Sequence, residues 1–205
     1  MPRYLSETDP LWWCRALRLD PGHHEKVAKL ARWAGYFARR TLRNDRSGGT
    51  WLVLSGPTGT GKTTVGKFCK RVFNDWAFDV MLSGKSNWKM DRRPFAERLN
   101  WPAYCDNAER NGSNYRIEEV KSADVIILDD VGAECDRYKS GAPKSDLRNL
   151  LESIAGKWLM ISTNVPKDDW IDAFGARVAD RLDAAKSFST DGIPSYRSKL
   201  NRETK

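Results

Sequence analysis

Three glycines, three threonines and a lysine fall within eight residues, Gly56-Pro57-Thr58-Gly59-Thr60-Gly61-Lys62-Thr63, just after the apolar run Trp51-Leu52-Val53-Leu54. A phosphate chain needs several converging N–H donors, and only backbone nearly free of side chains can approach it closely enough. A helix beginning at Lys62 turns the positive end of its dipole toward the same anion. A lysine in this place reaches the β- and γ-phosphates, and the hydroxyl after it ligates Mg²⁺. Gly56, Pro57, Thr58, Gly59, Thr60, Gly61, Lys62, Thr63 and Thr64 are therefore the expected phosphate-binding residues. ATP and Mg²⁺ are the expected ligands, with Thr63 on the metal.

A second group lies about 70 residues on, where Val125-Ile126-Ile127-Leu128 ends in Asp129-Asp130. An acid at the end of a buried strand beside a phosphate loop can hold the metal through a bound water. Asp129 is the candidate for that role, and Asp130 is placed to polarise an attacking water. A third apolar run, Trp158-Leu159-Met160-Ile161, ends in Ser162-Thr163-Asn164. If its strand neighbours the Asp129 strand, Asn164 can hold the attacking water or meet the γ-phosphate. Equally, Asn164 can cap the helix that begins beyond Pro166.

These groups need a scaffold that brings several strand ends together. Strands are expected near 51–55, 78–83, 124–129, 158–162 and 186–189, with helices near 62–76, 143–155 and 167–183. The central runs lack polar alternation, which marks strands buried on both faces, and alternating strands and helices imply a parallel sheet covered by helices. The expected fold is thus α/β, with a five-stranded parallel sheet. Ahead of it, Val27, Leu30, Ala31, Ala34, Phe37 and Ala38 recur at helical spacing within 23–42, with Lys26, Lys29, Arg32, Arg39, Arg40 and Arg43 largely off that stripe. Those cations form a solvated face or a DNA-facing one. Trp12-Trp13 sits in an irregular arm, packing on the domain or docking a partner. The polar stretch 84–115 carries Trp88, Trp101 and Tyr104 among basic residues. Such a mixture suits single-stranded DNA, with rings stacking on bases, or an excursion that packs its own aromatics. Arg137, Lys139 and Lys144 are a second candidate DNA surface.

The net charge is +8, and residues 1–50 hold ten Lys/Arg against five Asp/Glu. An anionic partner such as nucleic acid fits that excess. No apolar run reaches the roughly 20 residues that cross a bilayer, and no secretory leader is evident. Cys14, Cys69, Cys105 and Cys135 are too scattered for a zinc or disulfide framework, so a cytoplasmic setting is expected.

The glycine loop, Leu128-Asp129-Asp130-Val131-Gly132-Ala133-Glu134 and Ser162-Thr163-Asn164 together resemble the DnaC-type branch of the AAA+ ATPases. That branch includes replicative helicase loaders and the IstB transposition ATPases. Ala176-Arg177-Val178-Ala179-Asp180-Arg181-Leu182 is similar to the family's arginine-finger segment, and Pro194-Ser195-Tyr196-Arg197-Ser198 to its Ser-Tyr-Arg element. The resemblance implies Mg²⁺-dependent ATP hydrolysis in an open ring or spiral of identical subunits. It implies Lys62, Asp129, Asp130 and Asn164 acting at the site, and Arg181 as the finger offered to a neighbour, with Arg177 as the second candidate. Arg197 is implied as a nucleotide-contacting sensor. The implied partners are DNA, single-stranded for a loader, and a replicative DnaB-type helicase. The expected division is an arm and basic helix at 1–45 and an AAA+ domain at 46–205 with a reduced or absent lid. A transposition helper acting on duplex DNA, a small-molecule phosphotransferase and a nucleotide-gated helicase inhibitor are the alternatives.

Overall fold

The structure, a computed structural model, describes residues 14, 15, 17, 25–44, 50–89, 92–111, 115–133 and 142–195. In chain order the elements are α1 (Glu25–Arg43), β1 (Trp51–Ser55), α2 (Lys62–Leu82), β2 (Ala96–Asn100), α3 (Trp101–Asn111), α4 (Tyr115–Ser122) and β3 (Val125–Val131). Then come α5 (Ala142–Ser153), β4 (Trp158–Thr163), a 3₁₀ turn at Lys167–Asp169, α6 (Trp170–Phe174), α7 (Ala176–Asp183) and β5 (Lys186–Ser189). The strands form one all-parallel sheet in the order β2-β3-β4-β1-β5.

Each central strand feeds two cores. On one face Leu52, Leu54, Val125, Ile127, Trp158 and Met160 meet α1 and α2; on the other Val53, Ile126, Leu128, Leu159 and Ile161 meet the helices that follow β2. Alternate side chains point to opposite faces, so unbroken apolar runs are what a sheet covered on both sides requires. The apolar stripe of α1 is buried in the first core, where alanines let it lie close to α2. Among the described residues no helix is long and apolar enough to cross a membrane.

One expectation fails, and one pair of alternatives is decided. The strand expected at 78–83 is the end of α2, which runs unbroken to Leu82. A short apolar run does not distinguish strand from helix, and Ala77, Val80 and Met81 are buried at the i, i+3, i+4 spacing of one helix face. The fifth strand is instead β2, at the sheet edge, inside the polar stretch 84–115. Of the two readings of that stretch's aromatics, the described rings take the second, packing within the fold. Trp101 is wholly buried and Tyr104 nearly so, their rings 5.2 Å apart. Trp88 lies edge-on to Phe73 at 5.6 Å and donates its indole N–H to the Thr41 carbonyl at 2.9 Å. Large rings gain more from the core than from solvent, and these three pack inward. Trp12, Trp13, Arg137 and Lys139 lie outside the described residues, and Lys144 is an exposed cation whose ammonium donates to the Asp172 carbonyl at 2.8 Å.

Candidate nucleotide site

The chain leaves the carboxyl end of β1 at Ser55, turns through Gly56–Gly61 and enters α2 at Lys62. Open parallel sheets bind ligands at this edge. Gly59 has φ +81° and supports a left-handed turn, and a Cβ there would come within 2.1 Å of the Ser195 hydroxyl. Glycine is thus required twice, for conformation and for space. Lys62 is 4% exposed, and its ammonium donates to the carbonyls of Gly56 (2.6 Å) and Pro57 (2.7 Å). The cation is held within the loop by neutral acceptors, which a phosphate oxygen outcompetes because hydrogen bonds between two ions are stronger. Thr58 and Thr64 complete the loop and the first turn of α2, both exposed.

The carboxyl ends of β3 and β4 supply the second half. Thr63 donates its hydroxyl to Asp129 Oδ1 at 3.2 Å, joining residues 66 apart in the chain. Asp129 is 1% exposed, also accepts from the Ser162 hydroxyl, and is ion-paired through Oδ2 to Arg98. Asp130 takes φ +60°, which Asp tolerates better than most residues, and donates its backbone N–H to Ser162 Oγ at 3.0 Å. Ser162 therefore fixes both acids at once. Asn164 leaves β4 beside them, and its side-chain oxygen is buried without a hydrogen-bond partner. A buried acceptor left unmet costs stability unless a ligand or water satisfies it. A glycine cradle, a lysine folded into it, a hydroxyl on a carboxylate and an orphaned amide oxygen make a donor set that fits a nucleoside triphosphate with a hard divalent cation.

Solved structures of similar fold include several replication proteins. The DnaC helicase loader superposes with a TM-score of 0.60 at 13% identity, over 92% of this chain and 99% of that one. DnaI gives 0.57 at 17%, over 92% and 94%. The initiator DnaA bound to AMPPCP and single-stranded DNA gives 0.56 at 14%, over 84% of this chain and 50% of that one. The fold is that of an AAA+ P-loop domain. The chain spans about half the length of three of the DnaA chains that it matches. No family model and no curated protein matches it by sequence.

Within this AAA+ fold Arg181 does not join its own site. It lines a groove with Thr50, Trp51, Ala155, Gly156 and Lys186, at the edge where the strands begin. Five-residue β1 sets that edge roughly 16 Å from the phosphate loop. There Arg181 is 36% exposed and 3.7 Å from Glu152. Arg177 is exposed on the same short helix. Arg197 lies outside the described residues; the last residue described, Ser195, is seated on Gly59.

Two residues at the site escaped the sequence reading. Arg98 sits in a strand too short and too charged to show a pattern. Ser162 was in view beside Asn164, but nothing in the sequence reveals that a serine at a strand end reaches across to two acids.

Proposed function

We propose that this chain is a Mg²⁺-dependent ATPase of the helicase-loader type, which uses hydrolysis as a conformational switch on single-stranded DNA and acts on a replicative DnaB-type helicase. The observation that supports it best is the Thr63–Asp129 hydrogen bond, which brings the glycine loop and the acidic strand end into one site. The likeness in fold to a helicase loader, and to an initiator that holds a nucleotide analogue and single-stranded DNA, supports the class of partner.

In this reading the loop amides and Lys62 hold the β- and γ-phosphates. Thr63 and Asp129 would hold Mg²⁺, which neutralises charge gathering on the phosphate oxygens. Asp130 accepts a proton from the attacking water, while Asn164 orients that water through its otherwise unmet oxygen. Arg181, at the opposite edge of the sheet, serves the site of a neighbouring copy, and Arg197 contacts nucleotide from beyond Ser195. An arginine supplied this way is worth roughly 10³–10⁵ in rate in the best-studied phosphoryl transfers, so the isolated subunit turns over slowly. Net charge +8 supplies the attraction to the DNA backbone, which weakens as salt rises.

Turnover measured with and without single-stranded DNA, and capture of a replicative helicase in ATP, test the reading. DNA-stimulated hydrolysis with nucleotide-dependent capture supports it. Phosphate transfer to a small acceptor without DNA stimulation, or no capture in any nucleotide state, refutes it.

A further inference from the structure

We propose that Arg98 is a counter-ion that Mg²⁺ must displace from Asp129, so that loading the metal is a gated step. The inference rests on the reading that Thr63 and Asp129 hold the metal.

Both oxygens of the Asp129 carboxylate are engaged. Oδ1 accepts from Thr63 and Ser162, and Oδ2 is paired with the Arg98 guanidinium. The charge of this buried acid is thus balanced by a cation on another strand. In the sheet Asn100 stands opposite Asp129 and Arg98 opposite Ile127. Residues two apart share a face, so Arg98 lies on the face of Asp129 and leans along the strand to meet it. That face is covered by the phosphate-loop helix, where a Cβ on Gly66 would stand 3.0 Å from Ile127.

A divalent cation beside Asp129 would share that carboxylate with a guanidinium already upon it. Like charges in a partly buried site are poorly screened, so the two cations exclude one another. The guanidinium has somewhere to go. Arg98 is 21% exposed and lines an open cleft of about 490 Å³ between α2 and β2, together with Lys67, Lys70, Arg71, Asn74, Asp75 and Glu97. It is also imperfectly held where it is, because its Nε is buried with no hydrogen-bond partner. An unmet donor weakens the case for staying. Arg98 and the metal therefore alternate on Asp129, the arginine leaving for the cleft when the metal arrives. Glu97 cannot simply receive it, since Lys70 already holds that carboxylate at 2.8 Å; Asp75 is the other acid of the cleft, and the open solvent there screens the guanidinium from Lys67 and Arg71.

The test is binding of a fluorescent ATP analogue, titrated with Mg²⁺, to the wild-type chain, Arg98→Gln and Arg98→Lys. The proposal expects Arg98→Gln to lower the half-maximal Mg²⁺ concentration about ten-fold. Arg98→Lys should fall between, and affinity in EDTA should stay near wild type in both. An unchanged or raised Mg²⁺ midpoint in Arg98→Gln overturns the gate. So does an equal loss of affinity with and without Mg²⁺, which would make Arg98 a phosphate contact. If wild-type binding ignores Mg²⁺ altogether, the metal reading itself fails. Should Arg98→Gln not fold, with Asp129 left unpaired, Arg98→Lys carries the same test with the charge retained. A midpoint for it equal to wild type then counts against the gate.

Discussion

The hydroxyls of Thr60 and Thr190 lie 2.8 Å apart, tying the residue after the last strand to the middle of the phosphate loop. Thr190 also reaches the Ser55 carbonyl through its hydroxyl (3.0 Å) and its N–H (2.8 Å), and Thr60 donates to the Pro57 carbonyl at 3.0 Å. Two hydroxyl protons serve three contacts, so the set is shared rather than fixed. Thr190→Val keeps the shape and removes the link. We expect a stability loss of about 1 kcal/mol, together with nucleotide affinity reduced several-fold, and recovery in Thr190→Ser. Denaturant titration and nucleotide binding read the two effects separately. Unchanged affinity would reduce Thr190 to a core residue.

Asn164 and Lys62 should separate chemistry from binding. The Asn164 oxygen makes no hydrogen bond in the fold, so Asn164→Ala should leave thermal stability near wild type. Nucleotide affinity should change little while turnover falls by roughly 10² or more. Lys62→Ala should instead remove nucleotide binding itself. Calorimetric binding beside steady-state hydrolysis checks both. An Asn164→Ala chain that melts early and hydrolyses normally would make Asn164 a structural cap.

Alkaline pH should loosen the α3 side of the core. Burial, with smaller contributions from the Asp146 carboxylate and Cys105, pushes the Tyr104 phenol up to about 12. The fold thus favours the neutral phenol, and that stabilisation is complete below about pH 10 and is lost as pH climbs through 12. Urea midpoints should fall between pH 10 and 12 in the wild type and fall less steeply in Tyr104→Phe. Equal slopes would show that Tyr104 does not carry the effect.

The phosphate loop and the paired acids were legible in the sequence because their chemistry is local: glycines, lysine and threonine at fixed offsets, and acids closing an apolar run. The five-stranded parallel sheet was legible in number but not in membership. Ala96–Asn100 carries Glu97 and Arg98 and is only half covered, so it lacks the apolar signature of its neighbours. Phe78–Leu82 has that signature and is helix, because its buried residues also satisfy helical spacing. Arg98 and Ser162 were invisible for one reason: what they do depends on which strands lie side by side, and register is a property of the folded sheet.

In the proposed assembly one copy supplies the nucleotide loop and another supplies Arg181. Mixing two inactive variants tests it most directly. Lys62→Ala lacks a working loop but offers an intact Arg181, and Arg181→Ala has the opposite defect. Each alone should show little DNA-stimulated hydrolysis. In an equal mixture assembling at random in head-to-tail order, about one interface in four joins an intact loop to an intact arginine, so activity should return to about a quarter of wild type. A mixture as inactive as its parents, or full turnover by Arg181→Ala alone, would contradict the claim.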